Sequence, residues 1–286
     1  MRSVSKVARG RVCLRFLDYD VTVVSSIESV LQRVAFGFRR MLRADIPDSS
    51  FELEIREEHG RYELLRNGEL LASYSDLFEA KTVLRHEINR AFIYAYPEFL
   101  WMHAGAVAGK DRAALFVGIS GRGKSTLITT LCQQGFRYLS DDIIPLDPAT
   151  GKAIPYPMTP IVRENIGQEL PPERVEEIPR TLVELPESTY CREPVSVGSV
   201  ILPAYSTKCQ ARILPFSPGT TTLDLVKQCI NARVHGASAV TFMAELTASV
   251  PVLPIEYSDA QSAANLVSRV LNESSPATYS SIGPAA

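Results

Sequence analysis

Gly118-Ile119-Ser120-Gly121-Arg122-Gly123-Lys124-Ser125 is the stretch on which the reading of this chain turns. It fits the spacing G-x-x-x-x-G-K-S. Glycines at these positions let the backbone turn so that successive N–H groups converge on phosphate oxygens. A helix starting at Lys124 adds its positive N-terminal end. The Lys124 ammonium is then placed for the β- and γ-phosphates, and the Ser125 hydroxyl for Mg²⁺. The flanks agree. Ala113–Val117 reads as a buried strand, the segment after the loop as a helix to Gln134, and Gly135 stands where a helix C-cap belongs. The bland alternative is a glycine-rich turn between core elements, which the strand before and the helix after disfavour.

Asp141 and Asp142 lie 17 and 18 residues beyond Lys124. About ten helical residues carry the chain roughly 15 Å from the loop. Gly135 reverses it, and four extended residues return it by roughly 13 Å. The spacing therefore brings both aspartates back beside the phosphates, at the carboxyl edge of a parallel sheet. One carboxylate suffices to hold Mg²⁺, directly or through water. A second is spare to accept a proton from an attacking hydroxyl. The competing reading is that one aspartate only caps a turn before Ile143.

Further out, Trp101–Ala108 reads as a strand and Arg137–Leu139 as the start of another. Residues 1–98 read as a small α+β domain. Val12–Val24 holds strands around an Asp18–Asp20 turn. A helix capped by Ser25 or Ser26 runs to about Leu42. Phe51–Leu65 is a strand pair across His59–Gly60, with a second turn at Asn67–Gly68, and a helix spans about Asp76–Tyr96. Ten of the nineteen prolines lie between Pro145 and Pro194, so the insert 145–194 within the second domain, 99–272, is no helical layer and is long enough for a functional loop or lid. Then come a strand Val195–Pro203, a helix Thr221–Arg233, a strand Val252–Tyr257 and a last helix to about Leu271, capped by Ser258 or Asp259. The Ser/Pro/Ala-rich tail 273–286 reads as disordered.

Composition sets the outer bounds. The chain has 286 residues, 45% of them hydrophobic, and a net charge of −2. Neither nucleic acid nor a membrane is expected as a partner. The one asymmetry is residues 1–43, with nine Lys/Arg against three Asp/Glu: a solvated basic face, or a docking surface for an acidic peptide. No apolar run long enough to cross a membrane and no secretory h-region are seen. The five cysteines form no CxxC pair, which suits reduced thiols in a cytoplasm.

With these residues in hand, the chain resembles the HPr kinase/phosphorylase superfamily, and most of all the shorter HPr-kinase-related proteins that include kinases of the C-terminal serine of lasso-peptide precursors. The likeness begins at Met102-His103-Ala104-Gly105-Ala106-Val107. It runs through the loop to Gly135-Phe136-Arg137-Tyr138-Leu139-Ser140-Asp141-Asp142, and continues weakly at Pro160-Ile161-Val162-Arg163 and Val200-Ile201-Leu202-Pro203. The resemblance implies a P-loop kinase core of the HPr kinase/PEP carboxykinase type, in the α/β class, using ATP and Mg²⁺. It makes Asp141 the base that deprotonates the acceptor hydroxyl, and Ser125 and Asp142 the metal side. It puts His103 close to the phosphates and Arg163 where a cation can neutralise transferred-phosphoryl charge. Gly118, Ser120, Gly121, Arg122, Gly123, Lys124, Ser125 and Thr126 form the nucleotide-binding set. Family hexamers point to self-association. Two departures count against the reverse, phosphorolytic reaction and against HPr as substrate. Val162–Gly167 replaces the Gly-Leu-Gly-containing segment of HPr kinases proper, and Arg122 and Thr126 differ from the bifunctional enzymes.

The expectation is thus a kinase of a serine hydroxyl on a precursor peptide, with a small-molecule hydroxyl as the alternative acceptor. A nucleotide-dependent ATPase or switch is the rival, although no N-K-x-D segment specifies guanine. A scaffold that only grips phosphate stands last.

Overall fold

The computed structural model describes residues 10–45, 47, 51–163, 180–207 and 209–273. It is a mixed α/β structure in two compact units, residues 1–97 and 98–286.

The first unit is a six-stranded sheet with two helices. Strands β1 (Gly10–Phe16) and β2 (Tyr19–Ser25) form a hairpin, helix α1 (Glu28–Gly37) follows, and β3 (Leu42–Arg43) returns to β1. Strand β4 (Phe51–Glu58) runs parallel to β2 and leads into a meander through β5 (Arg61–Arg66) and β6 (Glu69–Tyr74). Helix α2 (Leu77–Ala95) starts where the Asp76 carboxylate accepts the Glu79 N–H at 3.0 Å. It buries Leu84, Ile88 and Phe92, one turn apart. Helix α1 stops at Gly37, short of the expected Leu42, because glycine is a poor helix former and Phe38 turns into the core.

The second unit carries the glycine-rich loop 118–123. Strands β7 (Leu100–Met102), β8 (Ala104–Ala108), β9 (Ala113–Val117), β10 (Arg137–Ser140), β11 (Ile144–Asp147) and β12 (Lys152–Ala153) precede a two-stranded sheet of β13 (Ile161–Arg163) and β14 (Arg180–Leu182). Then come β15 (Val195–Tyr205), β16 (Arg212–Ile213) and β17 (Val252–Tyr257). The large sheet runs β10-β8-β9-β15-β12-β11-β7, with β17 beside β15 and β16 beside β17. Helices α3 (Lys124–Gln133) and α7 (Ala260–Glu273) contribute to the core cluster on one face. Helices α4 (Pro218–Lys227) and α6 (Ala237–Ser249) contribute to that on the other, and the short α5 (Ala232–His235) lies between those two in the chain. Side-chain alternation on β9 divides the core. Ala113, Leu115 and Val117 belong to the α4/α6 side, Ala114 and Phe116 to the α3/α7 side. Each large side chain so buried contributes about 1.5–3 kcal/mol.

Four expectations are corrected. The strand Trp101–Ala108 is two strands broken at His103, since β7 pairs with β11 while β8 pairs with β9 and β10. The sheet edge holding the aspartates is not purely parallel. β8 runs antiparallel to both β9 and β10, so those two still point the same way with one reversed strand between them. The helix Thr221–Arg233 breaks after Lys227, because residues 228–230 turn their backbone to β7. The Ile230 N–H donates to the Trp101 carbonyl at 2.7 Å, and the His103 N–H to the Gln228 carbonyl at 2.7 Å. The proline-rich insert is not all loop: among the described residues it takes part in four short strands, β11 to β14, with Pro145 inside β11 opposite Trp101 and most other described prolines between strands. Helix α6 was not foreseen, although Ala239, Met243 and Leu246 carry its period. The expected tail 273–286 lies outside the described residues apart from Glu273, as do residues 164–179 of the insert.

Candidate functional site

The loop Gly118–Gly123 joins the carboxyl end of β9 to α3, whose N-cap is Gly123 at φ 86° and ψ 9°. Only glycine holds that left-handed turn without strain, and here a Cβ would also run into the Tyr257 hydroxyl. That hydroxyl donates to the Gly123 carbonyl at 3.1 Å, which ties the loop to the end of β17. Lys124 is only 7% exposed. Its ammonium donates to the carbonyls of Gly118 and, at 3.2 Å, Ile119. Burial holds its pKa down to about 8, against the pull of Asp142 and Asp141.

The aspartates arrive on β10. A bulge between Tyr138 and Ser140 interrupts the pairing with β8 just before them. Gly105 lets β8 approach, because a Cβ there would lie 2.8 Å from the Asp141 Cα and 2.9 Å from the Ser140 carbonyl oxygen.

The two carboxylates then diverge. Asp141 is 2% exposed and turns inward. Its Oδ1 accepts the Tyr138 hydroxyl at 2.7 Å and its Oδ2 the Ile161 N–H at 3.1 Å. The Asp142 side chain is 36% exposed, with Oδ1 3.5 Å from His103 Nδ1. Burial and the Lys124 charge lower the His103 pKa, outweighing Asp142, so the imidazole is neutral at pH 7 and this contact is not an ion pair. Arg163, at the end of β13, donates from Nη2 to the Ser120 hydroxyl at 2.9 Å. Burial lowers its pKa too, while Asp142 opposes the shift.

Of the residues singled out from sequence, His103, Lys124, Asp142 and Arg163 thus share one electrostatic neighbourhood at the loop. Asp141, buried beside it, also acts on the Lys124 charge. Arg122 is exposed, and Ser125 and Thr126 lie in the first turn of α3. Sequence reasoning assigned no role to Tyr138, Tyr257 or Gly105. Tyr138 and Gly105 lie in the quoted likeness, but neither carries a chemical signal of its own. Among the described residues no group of three or more His, Cys, Asp or Glu side chains could hold a metal ion. The Ser125 hydroxyl and the Asp142 carboxylate are hard oxygen donors, which suits Mg²⁺ whose other ligands are phosphate and water.

A cleft of about 510 Å³ lies between α7 and residues 209–211, lined by Gln210, Ser258, Asp259, Ser262 and Arg269 among others; it includes none of the residues above. No helix among the described residues is long and apolar enough to cross a membrane. No family model matches this chain, and no curated protein matches it.

Proposed function

We propose that residues 99–272 form a P-loop kinase core of the HPr kinase/PEP carboxykinase type. In this reading the core moves the γ-phosphoryl group of ATP to a serine hydroxyl on a ribosomally made, lasso-type precursor peptide. The observation that carries the reading is the convergence of His103, Asp142 and Arg163 on the loop that begins the Lys124 helix. A loop that only gripped phosphate would need no exposed carboxylate beside a neutral imidazole. The peptide acceptor and self-association rest on the resemblance of residues 102–142 alone, and a cytoplasmic setting on five cysteines without a CxxC pair.

The roles follow from position. Loop N–H groups and Lys124 hold the triphosphate. The acceptor oxygen attacks the γ-phosphorus as the bond to the β,γ-bridging oxygen breaks, releasing ADP. The hydroxyl proton passes to Asp141, with Asp142 and neutral His103 beside it on the metal side. Arg163 and Lys124 stabilise the charge on the transferred group. Mg²⁺ held by Ser125 and Asp142 would add charge neutralisation at the phosphates. Each Asp141 oxygen receives one internal donor, from Tyr138 and Ile161, and keeps a second acceptor site for the incoming proton.

Incubation with γ-labelled ATP, Mg²⁺ and a peptide ending in serine tests this. Label on the serine, absent with Lys124→Ala, is the expected result. ATP binding without transfer would turn the search to small-molecule acceptors or a switch, and no ATP binding at all would overturn the reading.

A further inference from the structure

We infer that the α1/α2 face of the N-terminal unit, built on Arg33, Lys81 and Phe78, is a docking surface for a short acidic peptide segment that carries large apolar side chains. The docking stands on its own observations; that the docked segment belongs to the peptide phosphorylated by the other unit rests on the kinase reading above. Residues 1–97 hold 15 Lys/Arg against 14 Asp/Glu, so the unit as a whole sets up no field for a polyanion such as nucleic acid. Its charges are nonetheless sorted. Elsewhere in the unit arginines find carboxylates: Arg15 and Arg43 meet Asp20, Arg56 meets Glu63, and Arg66 and Arg90 meet Glu87. Among the described residues no carboxylate forms an ion pair with Arg33 or Lys81.

The two helices bring these cations together. Ser29, Arg33 and Phe36 stand at i, i+4 and i+7 on α1, and Phe78, Lys81 and Arg85 at i, i+3 and i+7 on α2, so each set forms one stripe. The stripes meet where the Lys81 ammonium donates to the Ser29 hydroxyl at 2.9 Å. Arg33 lies one turn beyond Ser29, and Arg85 one turn beyond Lys81. Burial first and the Arg85 charge second lower the Arg33 pKa; burial first and the Arg33 charge second lower that of Lys81. Each of these two therefore feels a neighbouring cation. Lys81 and Arg85, four apart on one helix, add a further like-charge pair. Gathering like charges costs the free protein stability, and an arriving carboxylate offsets that cost. On the same stripes Phe78 is 76% exposed and Phe36 38%. A lone exposed ring is ordinary. Two rings flanking a cation cluster add apolar contact to the charge, which matches a segment where Asp or Glu stands beside Leu or Phe. A few exposed ion pairs and two rings make weak, salt-sensitive binding, with a Kd of about ten micromolar.

Fluorescence anisotropy on the full chain, without ATP, tests this. The probe is a short labelled peptide of Glu-Glu-Leu and Glu-Glu-Phe units. Binding at low salt should weaken roughly tenfold in the Arg33→Gln/Lys81→Gln double variant. It should weaken about fivefold in Phe78→Ser, and stay at the wild-type value in Arg61→Gln, which lies on β5 outside the stripes. The same peptide with Gln for every Glu should bind at least about tenfold more weakly. Equal melting temperatures show that the variants are folded. Wild-type affinity in the double variant, equal binding of the Gln peptide, or no peptide binding at all would overturn the inference. So would binding to phosphatidylserine/phosphatidylcholine vesicles that the double variant loses while the peptide stays unbound, since the face would then belong to a membrane. The kinase reading fails separately. Peptide binding that depends on Arg33 and Lys81, in a chain that transfers nothing, keeps the docking surface and retires the kinase. Transfer to a peptide whose binding and KM ignore the double variant does the reverse.

Discussion

At the residue scale, Lys124 is the side chain whose behaviour departs furthest from its sequence expectation. A phosphate-loop lysine is expected to be cationic at any physiological pH, yet burial brings it to about 8. The sign follows from linkage. Phosphate binds the ammonium form, so binding raises the pKa and takes up a proton above pH 8. ATP affinity should be flat below about pH 7.5 and fall by up to about tenfold per pH unit above 8. Titration calorimetry across pH 6.5–9.5 measures this, with Lys124→Arg as a control that stays flat. A wild-type profile as flat as the arginine variant's would show that the lysine titrates far higher. The motif announced the lysine, but nothing local in sequence announces its pKa, which depends on how many atoms of other strands and helices exclude water from it.

At the element scale, the site depends on how closely β8 lies against the end of β10. Gly105 permits that contact, and its neighbours there are the Ser140 carbonyl and the Asp141 backbone rather than a flexible side-chain tip alone. Gly105→Ala should destabilise the protein by about 1–3 kcal/mol, read by denaturant unfolding, and should lower kcat by displacing Asp141. Unchanged stability would mean that β8 can retreat at no cost. Strands β9 and β10 and helices α2, α3 and α7 were legible from apolar period, caps and turn residues, and each is largely decided by its own residues. The break at His103 was not legible, because Leu100–Ala108 is apolar on both sides of that one histidine and carries no turn signal. Partners far along the chain, β11 on one side and β10 on the other, decide where it divides. The same holds for residues 228–230, whose helix gives way to hydrogen bonds with β7.

At the scale of the whole molecule, every residue of the candidate site belongs to the unit 98–286, and the unit 1–97 has its own sheet and core. A protein of residues 98–286 should bind ATP within about threefold of the full chain's affinity, a difference of about 0.65 kcal/mol, and residues 1–97 should not bind it. Equilibrium dialysis with labelled ATP decides this. A large loss in the shorter protein would assign the N-terminal unit a part in the nucleotide site.

The basic stretch at residues 1–43 is partly neutralised inside its own unit. Arg15 and Arg43 both pair with Asp20, at 2.7 and 2.6 Å, so cations that read as a free surface are in part a local network. By itself the sequence determined the glycine-rich loop, the helix it opens and the return of two aspartates near it, because these follow from spacing and glycine freedom over fewer than thirty residues. Only the tertiary structure decided how the two aspartates are partnered. Asp141 and Asp142 are adjacent and chemically identical, and what separates them is the donors that the fold brings from Tyr138, Ile161 and His103.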